Sequence, residues 1–145
     1  FYAENQHIKE NVISVEQHFS LSVSDAHDTH SVVGFIDRID KEEGAEAYEL
    51  IDYKTGKNIP PQESLPQNLQ LGIYALALKA QSPMFPPEKI TTTLYAVRSN
   101  KKMSYEPSGD DLEWIQHEVT QTIQAIKESI RTDTFPKRAK CKRCE

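Results

Sequence analysis

An acid and a lysine stand two positions apart at the end of an apolar run, in the stretch ELIDYKTGK at residues 49–57. Side chains alternate faces along a strand, so we expect Asp52 and Lys54 to share one face while Tyr53 points the other way. Buried charges are costly unless they are paired or bind a metal. A second acid, Asp37, lies in the preceding apolar stretch, GFIDRID. If the two segments pair as strands, two carboxylates and an ammonium lie at one point of a sheet.

Such a group of side chains suits phosphodiester chemistry. Two carboxylates with a backbone carbonyl and waters bind a hard cation such as Mg²⁺ or Mn²⁺. The cation polarises a phosphodiester oxygen and lowers the pKa of a bound water. The lysine stabilises charge that develops on the phosphorus. Alternatively, it helps to deprotonate the attacking water, if the neighbouring cation lowers the pKa of the lysine. The spacing alone also fits an exposed ion pair on an edge strand, or an unrelated α/β domain with a chance acid–lysine pair.

Composition limits the class of protein. The chain has 145 residues, 37% of them hydrophobic and 27% charged, which fits one globular domain. Its net charge of −5 excludes a uniformly basic nucleic-acid binder, although a local basic patch can still steer a nucleic acid. The stretch KRAKCKR at 137–143 is such a patch. We expect a cytoplasmic protein without a membrane segment, because the chain shows no long apolar run and no signal-peptide pattern.

The β-branched and aromatic stretches predict a sheet that begins as an antiparallel meander. Strands are predicted at 11–23, 31–40, 47–56 and 90–99, with a short further strand in KKMSYEP. A helix is predicted at 65–81 and a longer one at 109–131. Their predicted apolar stripes are Leu69, Ile73, Leu76 and Ala80 in the first, and Leu112, Ile115, Val119, Ile123 (or Thr122), Ile126 and Ile130 in the second. Ser108 or Asp110 is expected to cap the second helix. This order of elements predicts an α/β fold with a central mixed sheet.

Three motifs in series, GFIDRID, YELIDYKTGK and QLGIYALAL, resemble the RecB-type branch of the PD-(D/E)xK nuclease superfamily. In that family a G-x-x-D-R-x-D strand supplies the first metal-binding acid, which corresponds to Asp37. The next strand carries (D/E)-x-K, which corresponds to Asp52 and Lys54. A following helix carries Q-x-x-x-Y, which corresponds to Gln70 and Tyr74.

The resemblance implies a restriction-endonuclease-like core, a central mixed sheet flanked by helices, and metal-dependent cleavage of DNA. It implies that the carbonyl of Tyr53 is a metal ligand and that Glu16, in the first strand, is a further acidic contributor; a solvated strand residue is the alternative for Glu16. Gln70 and Tyr74 lie one helical turn apart. The resemblance implies that they orient the lysine or contact the DNA backbone, and the alternative is a helix face packed on the sheet.

Cys141 and Cys144 have the spacing of a metal or redox site. Some RecB-type nucleases hold an iron–sulfur staple with one cysteine upstream of the core and three after the last helix. A [4Fe–4S] cluster needs four thiolates, so we expect it only in an intact parent protein, incomplete in this chain. A zinc site shared between chains, or two reduced thiols, are the alternatives.

Two hypotheses of function follow. The first is a nuclease domain at residues 1–136, lacking an N-terminal helix and followed by a basic tail at 137–145. It would be a metal-dependent DNA exonuclease acting on single strands, with a helicase domain or subunit as partner, within a helicase–nuclease or recombination-repair protein. The second is a non-catalytic DNA-binding or scaffolding module that kept the nuclease fold. Four histidines show no partner spacing and are interpreted as surface residues: His18, His27, His30 and His117.

Overall fold

Five strands form one sheet in the computed structural model, which describes residues 11–81 and 87–135. The strands follow chain order across the sheet: β1 (Val12–Ser24), β2 (Thr29–Lys41), β3 (Ala47–Lys54), β4 (Lys89–Ala96) and β5 (Lys101–Tyr105). β3 and β4 are parallel, and every other neighbouring pair is antiparallel. The predicted mixed sheet flanked by helices is confirmed.

Two helices pack on the sheet and on each other. Helix α1 (Leu69–Gln81) provides the crossover between the parallel strands β3 and β4, and α2 (Gly109–Thr132) follows β5. A parallel pair needs such a crossover, because the chain must return along the sheet before the second strand can run in the same direction as the first. The core combines side chains of both helices with those of the sheet, and its largest fully buried members include Ile36, Leu50, Leu71, Leu94, Met103 and Ile115. None of the described helices is both long and apolar enough to cross a membrane.

The first helix begins later than its sequence predicts. A 3-10 helix, Gln62–Gln67, precedes it and contains Pro66, and α1 begins at Leu69 instead of residue 65. Proline favours a break here because it offers no backbone N–H and restricts the residue before it. Asn68 then caps α1, since its side-chain oxygen accepts a hydrogen bond of 3.1 Å from the backbone N–H of Leu71.

The buried face of α1 also differs from the prediction. Of the predicted stripe, Ile73 and Leu76 are half-buried and pack against the core, whereas Leu69 is 40% exposed and Ala80 is exposed. The buried side chains are instead those of Leu71, Tyr74, Ala75, Ala77 and Leu78. This helix is apolar on almost every side, and periodicity therefore gives no basis for choosing the face.

The second helix begins as predicted, with Ser108 as its cap. The Ser108 hydroxyl accepts a hydrogen bond of 3.2 Å from the backbone N–H of Asp111, and the Asp111 carboxylate accepts one of 2.7 Å from the backbone N–H of Ser108. This reciprocal pair is a capping box. Asp110, the other predicted cap, lies within the first turn. The apolar stripe is buried in its first half only, because Ile126 is 53% exposed and Ile130 is 65% exposed.

The β1–β2 hairpin changes its inward face beside Asp37. Ile36 and Ile39 both belong to the core, although residues three positions apart on a regular strand point to opposite faces. Across the hairpin, the register places Glu16 opposite Asp37. Glu16 has a φ of 49°, a left-handed conformation that is uncommon for a residue with a side chain. The regular pleat is therefore interrupted at the level of two acidic residues.

Candidate active site

The two acids singled out by the motifs lie at the same level of neighbouring strands. The register pairs Arg38 of β2 with Ile51 of β3, so its continuation places Asp37 opposite Asp52. The Oδ2 atom of Asp37 accepts a hydrogen bond of 2.9 Å from the backbone N–H of Tyr53. Both carboxylates and the Tyr53 backbone are thus brought together where the β2–β3 pairing ends.

Asp52 is a buried acid whose charge is only partly compensated. It is 2% exposed, and its Oδ2 atom lies 2.7 Å from Lys54 Nζ. That oxygen nevertheless receives no well-aligned hydrogen bond from the described part of the chain. Burial raises the pKa of Asp52, the ion pair with Lys54 opposes this, and the charge of Asp37 raises the pKa further. A divalent cation would satisfy the buried oxygen and offset the repulsion between the two acids, so the residues present fit a metal.

Lys54 is oriented by a hydrogen-bonded side chain of α1. Its Nζ atom donates to Gln70 Oε1 over 2.7 Å, and Gln70 Nε2 donates to the hydroxyl of Tyr74 over 2.8 Å. Because an ammonium only donates, the amide oxygen must face the lysine and the amide NH₂ must face the tyrosine. The Lys54 side chain remains 37% exposed. It is held in one direction and is still accessible to a substrate.

Tyr74 is fixed by two residues that the sequence analysis did not single out. Its ring meets that of Phe19 edge-on, with centroids 5.9 Å apart and planes at 72°. Phe19 in turn lies over Gly34, where an added Cβ would come within 2.9 Å of the ring. Gly34 therefore lets the Phe19 ring approach the strand, and this ring packs against Tyr74. The glycine of GFIDRID was the available signal, since a glycine inside a strand often marks a close approach.

Burial and three carboxylates affect the pKa of Tyr74. Burial raises the pKa of its hydroxyl, the hydrogen bond from Gln70 lowers it, and the charges of Asp37, Asp52 and Glu16 raise it again. The hydroxyl therefore stays protonated at neutral pH. Glu16 itself is exposed, and the β1–β2 register places it opposite Asp37.

Arg38 and Asp40 form a second feature that the sequence analysis did not assign. The guanidinium of Arg38 makes two hydrogen bonds of 2.6 Å to Asp40 and one of 3.3 Å to the hydroxyl of Tyr53. This group lies on the face of β2 and β3 away from Asp52, and it holds the Tyr53 side chain there. The signal was present in GFIDRID, because residues two positions apart on a strand share a face.

A further acidic group lies at the turn between β1 and β2. Ligand atoms of Asp25, Asp28 and His30 lie within 4.8 Å of one another. Lys127 of α2 already occupies this group, with Nζ at 2.6 Å from Asp28 and 3.2 Å from Asp25. His30, predicted to be a surface residue, is half-buried, and its Nε2 lies 3.0 Å from Asp25. Hydrogen bonds from the backbone N–H groups of His27 and Asp28 are the largest cause of the lowered pKa of Asp25.

The remaining predicted positions divide into two groups. His18, His27 and His117 are exposed, as predicted. Cys141, Cys144 and the basic tail at 137–145 lie outside the described residues.

One acidic group lies where the β2–β3 pairing ends, and the other lies at the turn between β1 and β2. We call Asp37, Asp52 and Lys54 the strand-end cluster. We call the group at the turn the hairpin cluster, and its members are Asp25, Asp28, His30 and Lys127.

The fold and these motifs were compared with known proteins. A solved structure, described as the crystal structure of SSO0001, is 17% identical to this chain, with a TM-score of 0.51. The match covers 86% of this chain and 55% of that one, so this chain spans about half the length of SSO0001. At that identity the likeness shows the fold alone. No curated protein matches the sequence. The model of the PD-(D/E)XK nuclease superfamily matches residues 1–145, and the chain therefore belongs to the PD-(D/E)XK nuclease superfamily.

Proposed function

We propose that residues 1–136 are the catalytic domain of a divalent-metal-dependent DNA exonuclease. Members of the superfamily are usually nucleases that use divalent metals, and DNA is the substrate that membership implies. The observation that carries the proposal is the buried Asp52 oxygen, which lacks a well-aligned hydrogen bond among the described residues. It lies beside a second carboxylate and an oriented lysine.

Asp37, Asp52 and the backbone carbonyl of Tyr53 would hold the cation, with Glu16 as a further acidic contributor. When bound, Mg²⁺ or Mn²⁺ supplies Lewis acidity toward the phosphodiester and activation of water. Asp37 accepts the Tyr53 backbone N–H, which fixes one carboxylate relative to the peptide that supplies the carbonyl ligand. The protein's part is this fixed geometry, which needs little reorganisation during the reaction.

Lys54 would donate to a non-bridging oxygen of the scissile phosphate. Its ammonium is 2.7 Å from Asp52 and 2.7 Å from Gln70 Oε1. The hydrogen bond to Gln70 uses one of the three donors of the ammonium, and the contact with Asp52 is an ion pair without a well-aligned hydrogen bond, so donors remain for the substrate. Charge that develops on the phosphate would be stabilised by such a donor without a search among side-chain rotamers.

Gln70 and Tyr74 would act through Lys54. Gln70 Oε1 accepts a hydrogen bond from the Lys54 ammonium, and Gln70 Nε2 donates one to the hydroxyl of the buried Tyr74. Tyr74 is supported by packing on Phe19. The chain of contacts links the lysine to the core, so the amine keeps its direction when the substrate enters.

The proposal further includes exonuclease action on single strands and a helicase domain or subunit as partner, within a helicase–nuclease or recombination-repair protein. These features rest on the resemblance of the three motifs to the RecB-type branch. The basic tail would neutralise phosphates of the emerging strand. Cys141 and Cys144 would be two of the four thiolates of a [4Fe–4S] cluster in an intact parent.

Cleavage of end-labelled oligonucleotides tests the proposal. The chain is incubated with single-stranded and duplex DNA in Mg²⁺, Mn²⁺ or EDTA, beside the variant Asp52→Asn. We expect metal-dependent cleavage that the variant lacks, with release of short terminal products if the enzyme is an exonuclease and internal fragments if it is not. Binding of DNA without cleavage in either metal would instead favour the non-catalytic module. Cleavage that persists in EDTA would contradict the mechanism.

A further inference from the structure

An open cleft of about 590 Å³ lies beside the strand-end cluster, between β2 and α1. Asp37, Gln70 and Tyr74 line it on the side of the proposed catalytic centre. β2 pairs with β3 only from Arg38 to Lys41, so the cleft opens along a part of β2 that has β1 as its only partner among the described strands. A substrate can therefore enter it from the side.

The rest of the cleft is apolar, and two of its lining residues are strongly exposed. Val33 is 63% exposed and Phe35 is 55% exposed, and they share a face because they are two positions apart on β2. They lie on the face of β2 opposite to that of Gly34 and Phe19 and border the cleft at the unpaired edge of this strand, whereas Ile73 borders it from α1. No lysine or arginine of the described chain lines this cleft. Its chemistry therefore suits a flat apolar group rather than a phosphate.

Phe35 is held in place by a neighbour. Its ring centroid lies 5.3 Å from that of His18, with the ring planes at 71°. The two residues are paired across the β1–β2 register. An edge-to-face contact of this kind orients an aromatic ring, and an exposed ring that is already oriented loses little freedom when it binds a ligand.

We propose that Phe35 is a stacking platform for an unpaired nucleobase of the nucleotide next to the scissile phosphate. The proposal rests on the proposed nuclease function and names the substrate form that its site takes. Asp37 borders both the cleft and the candidate metal site, so the cleft is continuous with the place where the phosphate would lie. Stacking on aromatic side chains is the usual, sequence-tolerant way in which proteins hold single strands. Bases inside a duplex already stack on their neighbours, and Phe35 thereby favours single-stranded DNA.

Steady-state kinetics on single-stranded DNA provide the first test. Phe35→Ala is expected to raise KM about tenfold, within the range for losing one base–aromatic stack, and to leave kcat within about twofold. Phe35→Trp keeps a flat ring and should retain the parent KM, whereas Phe35→Leu, apolar but not aromatic, should resemble Phe35→Ala. On duplex DNA the variants should not differ. Ile13→Ala is the matched control, because Ile13 is 54% exposed on β1 and does not line this cleft.

Binding to DNA that lacks single bases provides the second test, and it needs no cleavage. Fluorescence anisotropy in EDTA measures the affinity for a series of single strands, each with one abasic residue at a different position. The parent chain should lose affinity about tenfold at one position of the series. Phe35→Ala should show no further loss at that position, because the two changes remove the same contact.

The two tests separate failure of the platform from failure of the enzyme. If Phe35→Ala binds and cleaves single strands as the parent does, the platform is overturned and the nuclease proposal stands. If the parent does not cleave in any metal, but the abasic position and Phe35 remain coupled, the nuclease proposal fails and the platform stands. Self-association of the parent that Phe35→Ala abolishes, with DNA binding unchanged, would assign this surface to a second copy of the chain and overturn the platform.

Discussion

The strand-end cluster and the hairpin cluster contain the same kinds of residues in opposite physical states. Each has two aspartates and one lysine. In the hairpin cluster, Asp25 accepts two backbone N–H hydrogen bonds of 2.8 Å as well as contacts from His30 and Lys127, and its pKa is lowered. In the strand-end cluster, Asp52 is buried with an oxygen that the described residues do not hydrogen-bond well, and its pKa is raised.

The difference shows why a group of acids is not by itself a site. The acids of the hairpin cluster are paired, and its lysine fastens the β1–β2 turn to α2 across the surface. The strand-end cluster keeps a partly compensated charge in a place where the core surrounds it. Proteins tolerate such destabilised groups chiefly where a ligand or a reaction uses them.

The largest expected effect separates the two lysines. Lys54→Ala should lower kcat for DNA cleavage by about 10²–10³-fold, the loss that follows removal of one donor to developing charge. Lys127→Ala should leave kcat unchanged, because the ion pairs of Lys127 within the described chain are those of the hairpin cluster. Cleavage rates under saturating DNA in Mg²⁺ measure both. Equal losses in the two variants would break the distinction between the clusters.

Metal binding should follow the strand-end cluster as well. Asp52→Asn is expected to weaken Mn²⁺ binding by at least about 100-fold, beyond the 10–100-fold that loss of an outer-shell partner costs. Asp28→Asn should not change it, since Lys127 already pairs with Asp28. Titration calorimetry with Mn²⁺ on each variant measures the affinities. A loss of Mn²⁺ affinity in Asp28→Asn, with none in Asp52→Asn, would place the metal site in the hairpin cluster instead.

A smaller effect is expected for the residue that orients Lys54. Gln70→Ala should lower kcat about tenfold, equivalent to roughly 1.4 kcal/mol, with KM and the thermal unfolding midpoint little changed. Its matched control is Gln121→Ala, an exposed glutamine on α2. An unchanged kcat in Gln70→Ala would show that Asp52 alone fixes the lysine.

The smallest expected effects are opposite shifts in stability. The folded-state pKa of Asp25 lies below 3.8, so this residue stabilises the fold above about pH 3.8 and the contribution is lost as the pH falls toward its folded-state pKa. The folded-state pKa of Asp52 lies above 3.8, so its ionisation disfavours the folded state at neutral pH. At pH 7 in EDTA, Asp25→Asn should therefore lower the thermal unfolding midpoint and Asp52→Asn should raise it. Circular dichroism melts measure both, and shifts of the same sign would contradict the comparison.

Much of the fold was predictable because the strands and α2 have clear local signals. The alternating β-branched stretches predicted the strands, and Ser108, one of the two predicted caps, marked the start of α2. The face of α1 was not predictable, since the helix is apolar nearly all round and Gly72 decides the contact. An added Cβ at Gly72 would lie 2.5 Å from Ile115, so only a glycine allows the two helices to approach there.

The sequence by itself determined which side chains could perform the chemistry. The two-residue spacing puts Asp52 and Lys54 on one face, and the four-residue spacing puts Gln70 and Tyr74 on one side of a helix, because these periods follow from local backbone geometry. Only the tertiary structure decided which acids are satisfied and which are not. Three features depend on segments that are distant in the chain, and no local pattern encodes them. They are the burial of each acid, the contact of Lys127 with Asp25 across 102 residues, and the exposed cleft at Phe35.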